Sequence, residues 1–169
     1  DVEAMTEEIL DVYRERILNL TWMQEETRRE AVKKIDTMGV NVVGPDEWPE
    51  YMDCIQIVPP AEGGSLIDNY LNIRSVIIED NIAGKDRPTE PDSWEGTATY
   101  EVNAFYNSSG NCIYLPAAIL QGEFYDSDAS EAQNLGGIGA VIGHEISHAF
   151  DNSGALYDEK GNFRNWWTD

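Results

Sequence analysis

Apolar positions recur near helical spacing from the first residues. Val2, Met5, Ile9, Val12, Ile17 and Leu20 predict a helix over residues 2–20. Thr21 is placed to cap a second helix over residues 22–38. Glu25 and Glu26 lie near its first turn, where the helix dipole favours acids, and Gly39 is its natural stop. Residues 40–43 form a short, mostly apolar run, and Gly44-Pro45-Asp46 turns the chain. Pro59-Pro60 and Gly63-Gly64 bracket a loop, after which Ser65 predicts the cap of a third helix reaching about Ala83. Residues 84–98, with Pro88, Pro91 and several charges, read as a surface connection.

The second half has a different pattern. Residues 99–106 alternate loosely and are rich in β-formers, residues 107–111 (NSSGN) are a turn, and residues 112–115 are a second apolar run that Pro116 ends. Together they predict a hairpin. Residues 129–150 then predict a helix whose glycines, at 136, 137, 139 and 143, suit a buried, closely packed position better than an exposed one. After Asp151 the composition becomes loop-like.

Composition narrows the function classes. The 169 residues include 32 acidic and 11 basic side chains, a formal charge of -21 spread over the whole chain. Such a surface repels phosphate backbones and anionic headgroups, so nucleic acid is a poor partner. Hydrophobic residues make up 41% of the chain, enough for a core, yet no apolar run approaches a membrane span. The opening DVEAMTEEIL is acidic where a secretory signal is basic, and there is no initiator Met, so the sequence reads as a processed piece. Cys54 and Cys112 lack the spacing of a zinc or redox pair; buried thiols are the default reading, with one disulfide open as an alternative.

The chain has two histidines, His144 and His148, and both fall in the string H-E-I-S-H. A spacing of four puts both imidazoles on one helix face, where their nitrogens can meet one metal ion. Glu145 projects around the helix and is free to act as general base towards an attacking water. Asp151 falls on the same face, placed to hold the second N–H of a histidine. The bland reading, two solvated or core-satisfied histidines, must account for both residues, their spacing, the intervening Glu and the apolar approach over residues 139–143. Imidazole ligation of this kind favours zinc, though cobalt or nickel also fit. Asp151 and Gly154 stand where a metzincin needs Gly and a third His, which excludes that subclass. Glu159 and Asp169 are the downstream candidates for a third ligand, and neither is convincing: one is in a turn-like segment, the other is the last residue.

The string V-I-G-H-E-I-S-H-A-F-D, followed by N-W-W-T, resembles the neprilysin family of zinc metallopeptidases, which includes endothelin-converting enzymes and bacterial oligopeptidases. A second block, Val102-Asn103-Ala104-Phe105-Tyr106 with the run from Asn111 to Gln121, is similar to the family's substrate strand and the segment after it. A weaker third block comprises Trp22, Thr27, Ala31, Lys34, Met38 and Gly44-Pro45-Asp46-x-Trp48. Ala118 stands where the family often has Gly.

The resemblance implies that His144 and His148 are the first two zinc ligands and Glu145 the catalytic base. It implies that Asn103 and Ala104 hydrogen-bond a peptide substrate, as an exposed strand edge can. The implied fold is α+β, a thermolysin-like gluzincin piece, mostly helical, with a small antiparallel sheet beside the active-site helix. In this reading residues 1–169 are part of a larger catalytic domain, with 1–98 a mainly helical lead-in and 99–169 the substrate hairpin plus zinc helix. The implied activity is metalloendopeptidase, with one zinc ion per parent enzyme and peptides as substrates. The family's E-x-x-x-D segment, with its third ligand, and its later His and Arg are not matched here. The expectation is therefore a central fragment that binds zinc poorly, is inactive alone, and self-associates through uncovered surface around the 129–150 helix. The rival class is a non-catalytic structural or binding fragment with a vestigial metal site.

Overall fold

The computed structural model describes residues 1–87, 94 and 98–168. The fold divides into two compact units, Asp1–Pro45 with Thr89–Asp169, and Asp46–Pro88.

In the first unit, helix α1 spans Val2–Leu18 and buries Val2, Thr6, Leu10 and Ile17. Met5, Ile9 and Tyr13 complete that face, whereas Val12 is on the solvent side. Helix α2 spans Glu25–Asp36, three residues later than the sequence suggests, and its N-cap position is Gln24 rather than Thr21. Residues 21–23 bend instead, which turns Met23 into the interior. Gly39 is not the stop of α2; Thr37 ends it, and Gly39 opens strand β1, Gly39–Val43.

Strands β2, Phe105–Asn107, and β3, Cys112–Pro116, form the expected antiparallel hairpin. β1 adds on the other side of β3 in parallel, Gly39 opposite Cys112, so the sheet is mixed rather than purely antiparallel. β3 is thus the central strand, and all five of its residues are buried, which explains its unbroken apolar run. The strand foreseen over residues 99–106 shrinks to its last two residues plus Asn107. Residues 98–103 turn: Glu101 N–H donates to Ala98 O at 3.2 Å and Asn103 N–H to Glu101 O at 2.9 Å, so these donors do not face a ladder.

The helix foreseen over 129–150 is made of three parts. Ser130 caps α4, Glu131–Asn134, in a reciprocal box with Gln133. A π-helical turn, Leu135–Gly139, follows, and then α5, Ala140–Ser147. The cause is a close approach by a neighbouring segment. Ile138 N–H donates to Phe124 O at 2.6 Å, and a Cβ on Gly137 would lie 2.4 Å from that oxygen. A widened turn releases the amide for this bond. Ile138, Ile142 and Ile146, one turn apart, are fully buried in the core with Ile113 and Leu115 of β3, Ala31 and Ile35 of α2, and Leu10 and Ile17 of α1. At about 1.5–3 kcal/mol per fully buried aliphatic side chain, these three isoleucines anchor the helix to the sheet. Cys112 lies buried in β3.

The second unit contains α3, Leu66–Gly84, capped as expected by Ser65, whose Oγ accepts from Asp68 N–H at 3.1 Å. Asn69 and Asn72 tie down the preceding loop, accepting from Val58 N–H at 2.9 Å and Gln56 N–H at 3.0 Å. No described residue of α3 is buried, and Cys54 is exposed, contrary to the buried-thiol expectation. Neither cysteine takes part in a disulfide among the described residues. The connection read at 84–98 falls largely outside the described residues. No helix among the described residues is long and apolar enough to cross a membrane.

Candidate metal centre

α5 delivers His144 and Glu145 from its last turns, and His148 continues the helical backbone at its C-cap, with φ -62° and ψ -21°. The two imidazoles therefore face each other edge to face, ring centroids 4.6 Å apart, with Nε2 of each 3.1 Å from the other. After Ser147 the chain tightens into three-residue turns: His148 N–H donates to Glu145 O and Ala149 N–H to Ile146 O, both at 3.1 Å. This curls the chain so that Asp151 returns to His148, Oδ2 to Nδ1 at 2.7 Å.

Asp151 is itself held. Its Oδ1 accepts the N–H groups of Ser153 and Gly154, both at 2.8 Å. The Gly154 N–H first, then His148, hold its carboxyl below the usual carboxylate range despite partial burial. A charged Asp151 accepts a hydrogen bond from Nδ1–H of His148, the tautomer that leaves the Nε2 lone pair on the side of His144.

Glu145 is only 5% exposed. Its burial pushes its carboxyl above the usual value, and His144, His148 and the backbone N–H of Tyr106 on β2 do not offset it. Asn103, Ala104 and Tyr106 line a cleft of about 450 Å³ together with His144, Glu145, His148 and Asp151. Every predicted site residue thus lines a single cleft, but Asn103 and Ala104 precede β2 and are not part of its ladder.

The donor set fits a small cation. Two nitrogens bound at about 2.0–2.1 Å in tetrahedral zinc lie roughly 3.3–3.4 Å apart, against 3.1 Å here. Among the described residues no group of three or more His, Cys, Asp or Glu side chains gathers to complete a shell. Glu159 turns to Arg164 at 3.6 Å, and Asp169 lies outside the described residues.

Two supporting residues escaped the sequence as site residues. Lys34 is 1% exposed and donates to Ala149 O, Gly154 O and Tyr157 O at 2.8, 2.9 and 2.8 Å. Gly154 packs so closely that a Cβ there would be 1.8 Å from His148 O. The only signal for either was their place in the chain, Lys34 in the weaker block of resemblance and Gly154 three residues after Asp151.

A sequence model of peptidase family M13 matches residues 103–169, and a second model of the same family matches residues 1–45. The chain belongs to peptidase family M13. Among M13-related sequences, a neutral endopeptidase of Lactococcus lactis subsp. cremoris is 37% identical over all 169 residues, which are 26% of that protein. A putative zinc metalloproteinase of Streptococcus gordonii is 40% identical over the whole chain and 29% of its own length. The crystal structure of PepO from Lactobacillus rhamnosis superimposes with a TM-score of 0.91 at 38% identity, covering 99% of this chain and 26% of that one. The chain therefore spans about a quarter of the length of the M13 relatives it matches.

Proposed function

We propose that this chain contributes the histidine pair and general base of a zinc metalloendopeptidase. The observation that carries the reading is the convergence of His144, Glu145 and His148 with Asp151 in one cleft, the imidazole nitrogens 3.1 Å apart. His144 and His148 would hold zinc through their imidazole nitrogens, with a further donor needed to complete the shell. Zinc, when bound, supplies a Lewis acid that polarises the scissile carbonyl and acidifies water.

The chain's own groups do the rest. Asp151 keeps the proton on Nδ1 of His148 and so fixes the ring. Glu145, its proton affinity raised by burial, takes the proton of the attacking water and passes it to the leaving amine. Asn103 and Ala104 line the same cleft, where a peptide substrate would bind. The acidic surface makes an anionic polymer a poor substrate.

A non-catalytic reading draws on one observation: no third donor gathers beside the histidines among the described residues. Glu145→Gln separates the two. The peptidase reading expects turnover to fall by ~10²–10⁴-fold with zinc retained. In the full-length parent enzyme, unchanged turnover of the variant at full zinc occupancy, or no turnover without the substitution, favours the non-catalytic reading.

A further inference from the structure

Lys34 presents a buried charge that the reaction does not use. It lies on α2 at 1% exposure, and its ammonium gathers the carbonyls of Ala149, Gly154 and Tyr157 into one tripod. Those oxygens bracket the turn that carries Asp151. Ala149 follows the histidine helix directly, where a cation also complements the dipole. The rings of Tyr106, Phe150 and Trp166 surround the same nitrogen with centroids 5.6–5.9 Å away. On the far side, Asn111 Nδ2 donates to Lys34 O at 3.0 Å and Asn111 Oδ1 accepts from Tyr106 OH at 2.9 Å, so α2 and β2 are bound to each other as well.

We propose that Lys34 is a positioning residue for the metal-binding face of His148, acting through the turn that holds Asp151. This rests on the zinc reading above. The path is a chain of observed bonds. Lys34 fixes Gly154 O, the N–H of Gly154 fixes Asp151 Oδ1, and Asp151 Oδ2 fixes His148 Nδ1. Three acceptors on one nitrogen hold the turn in a single arrangement; an apolar side chain of equal length removes a donor from each carbonyl, leaving Gly154 O with the Tyr157 N–H and Tyr157 O with the Trp166 Nε1–H. Burial pushes the ammonium down to about 8, with Asp158, Asp151 and Glu159 pulling it back up, so the cation persists at neutral pH. The nearby charges all favour it, which fits a group retained for its charge and not only for its bulk.

The test is a double-mutant cycle on zinc affinity, measured by competition with a chromophoric chelator. It compares the unmodified protein, Lys34→Met, Asp151→Asn and the double variant. Far-UV circular dichroism checks that each is folded. Loss of an outer support typically weakens metal binding about 10–100-fold, and Lys34→Met is expected to weaken it at least about tenfold. In the Asp151→Asn background the same change should have little further effect, because the path is already cut. Lys34→Arg, which keeps the cation, should recover part of the affinity. If Lys34→Met does not fold, Lys34→Gln replaces it in the cycle. Unaltered affinity, or an equal loss with and without Asp151, overturns the proposal, since a merely structural residue gives the latter. Zinc binding by the unmodified protein that does not depend on His144 and His148 overturns the zinc reading itself, a result distinct from either of these.

Discussion

Replacing Gly154 with alanine puts a methyl group into occupied space. The new Cβ would be 1.8 Å from His148 O and 2.9 Å from the carbonyl carbons of His148 and Ala149, all backbone atoms. No side chain can rotate away, so the turn itself must move. Accommodating an extra methyl in a packed site costs about 1–3 kcal/mol. Moving Gly154 also stretches the buried Lys34 bond to its carbonyl at 2.9 Å, and a hydrogen bond to a charged group is worth about 1.5–3 kcal/mol. The Asp151 bond is partly solvent-screened, its side chain 42% exposed, and adds little. The expected loss is about 2.5–6 kcal/mol of folding stability. Urea unfolding followed by circular dichroism reads it directly, and zinc competition should show a parallel fall of about tenfold or more, because Asp151 no longer holds His148. A variant within about 1 kcal/mol of the original, with unchanged zinc affinity, refutes the packing argument and the role given to this turn.

Other outcomes follow from the same structure. Ile142→Ala, at a fully buried position of the histidine helix, should cost about 2–5 kcal/mol in urea unfolding; a smaller loss means that the helix is not anchored there. In the full-length parent enzyme, Asn103→Ala should lower kcat/KM by an amount equivalent to about 0.5–1.5 kcal/mol while zinc affinity holds, and constants within error leave Asn103 no part in substrate binding. Asp158 is buried, which works against its charge, but the N–H groups of Asn162 and Lys160 with Arg164 outweigh this and hold its carboxyl below the usual carboxylate range. A depressed folded value stabilises the fold above the unfolded one and is lost as pH falls through the folded one. The stability gap between the protein and Asp158→Asn should thus be widest near neutrality and shrink below about pH 4; a gap independent of pH contradicts it.

Much of this molecule was legible because its signals are local. Helices α1 and α3, the Ser65 cap, the hairpin turn and the one-turn spacing of His144 and His148 depend on neighbours in sequence, and each falls within a residue or two of expectation. What the sequence did not show depends on distant partners. Parallel pairing of β1 with β3 joins segments some seventy residues apart, and no local pattern marks it. The π-helical turn exists because Phe124 O reaches Ile138 N–H, and the smallness of Gly137 permits that approach without announcing it. Thr21 resembles a cap, yet burial of Met23 draws the helix start to Glu25. Residues 99–104 have the composition of a strand, but their own tight turns take up the donors at Glu101 and Asn103. Lys34 was invisible as a supporting residue because a lysine on a charged helix reads as solvated, and only the folded chain brings three carbonyls to it.

The central claim is that His144 and His148 together hold the metal. Zinc K-edge X-ray absorption of the zinc-loaded protein tests it most directly, compared with His148→Ala prepared in the same way. The account predicts two imidazole nitrogens in the first shell at about 2.0–2.1 Å, with the imidazole signal reduced or lost in the variant. A shell without imidazole scattering, or a spectrum the substitution leaves unchanged, contradicts it.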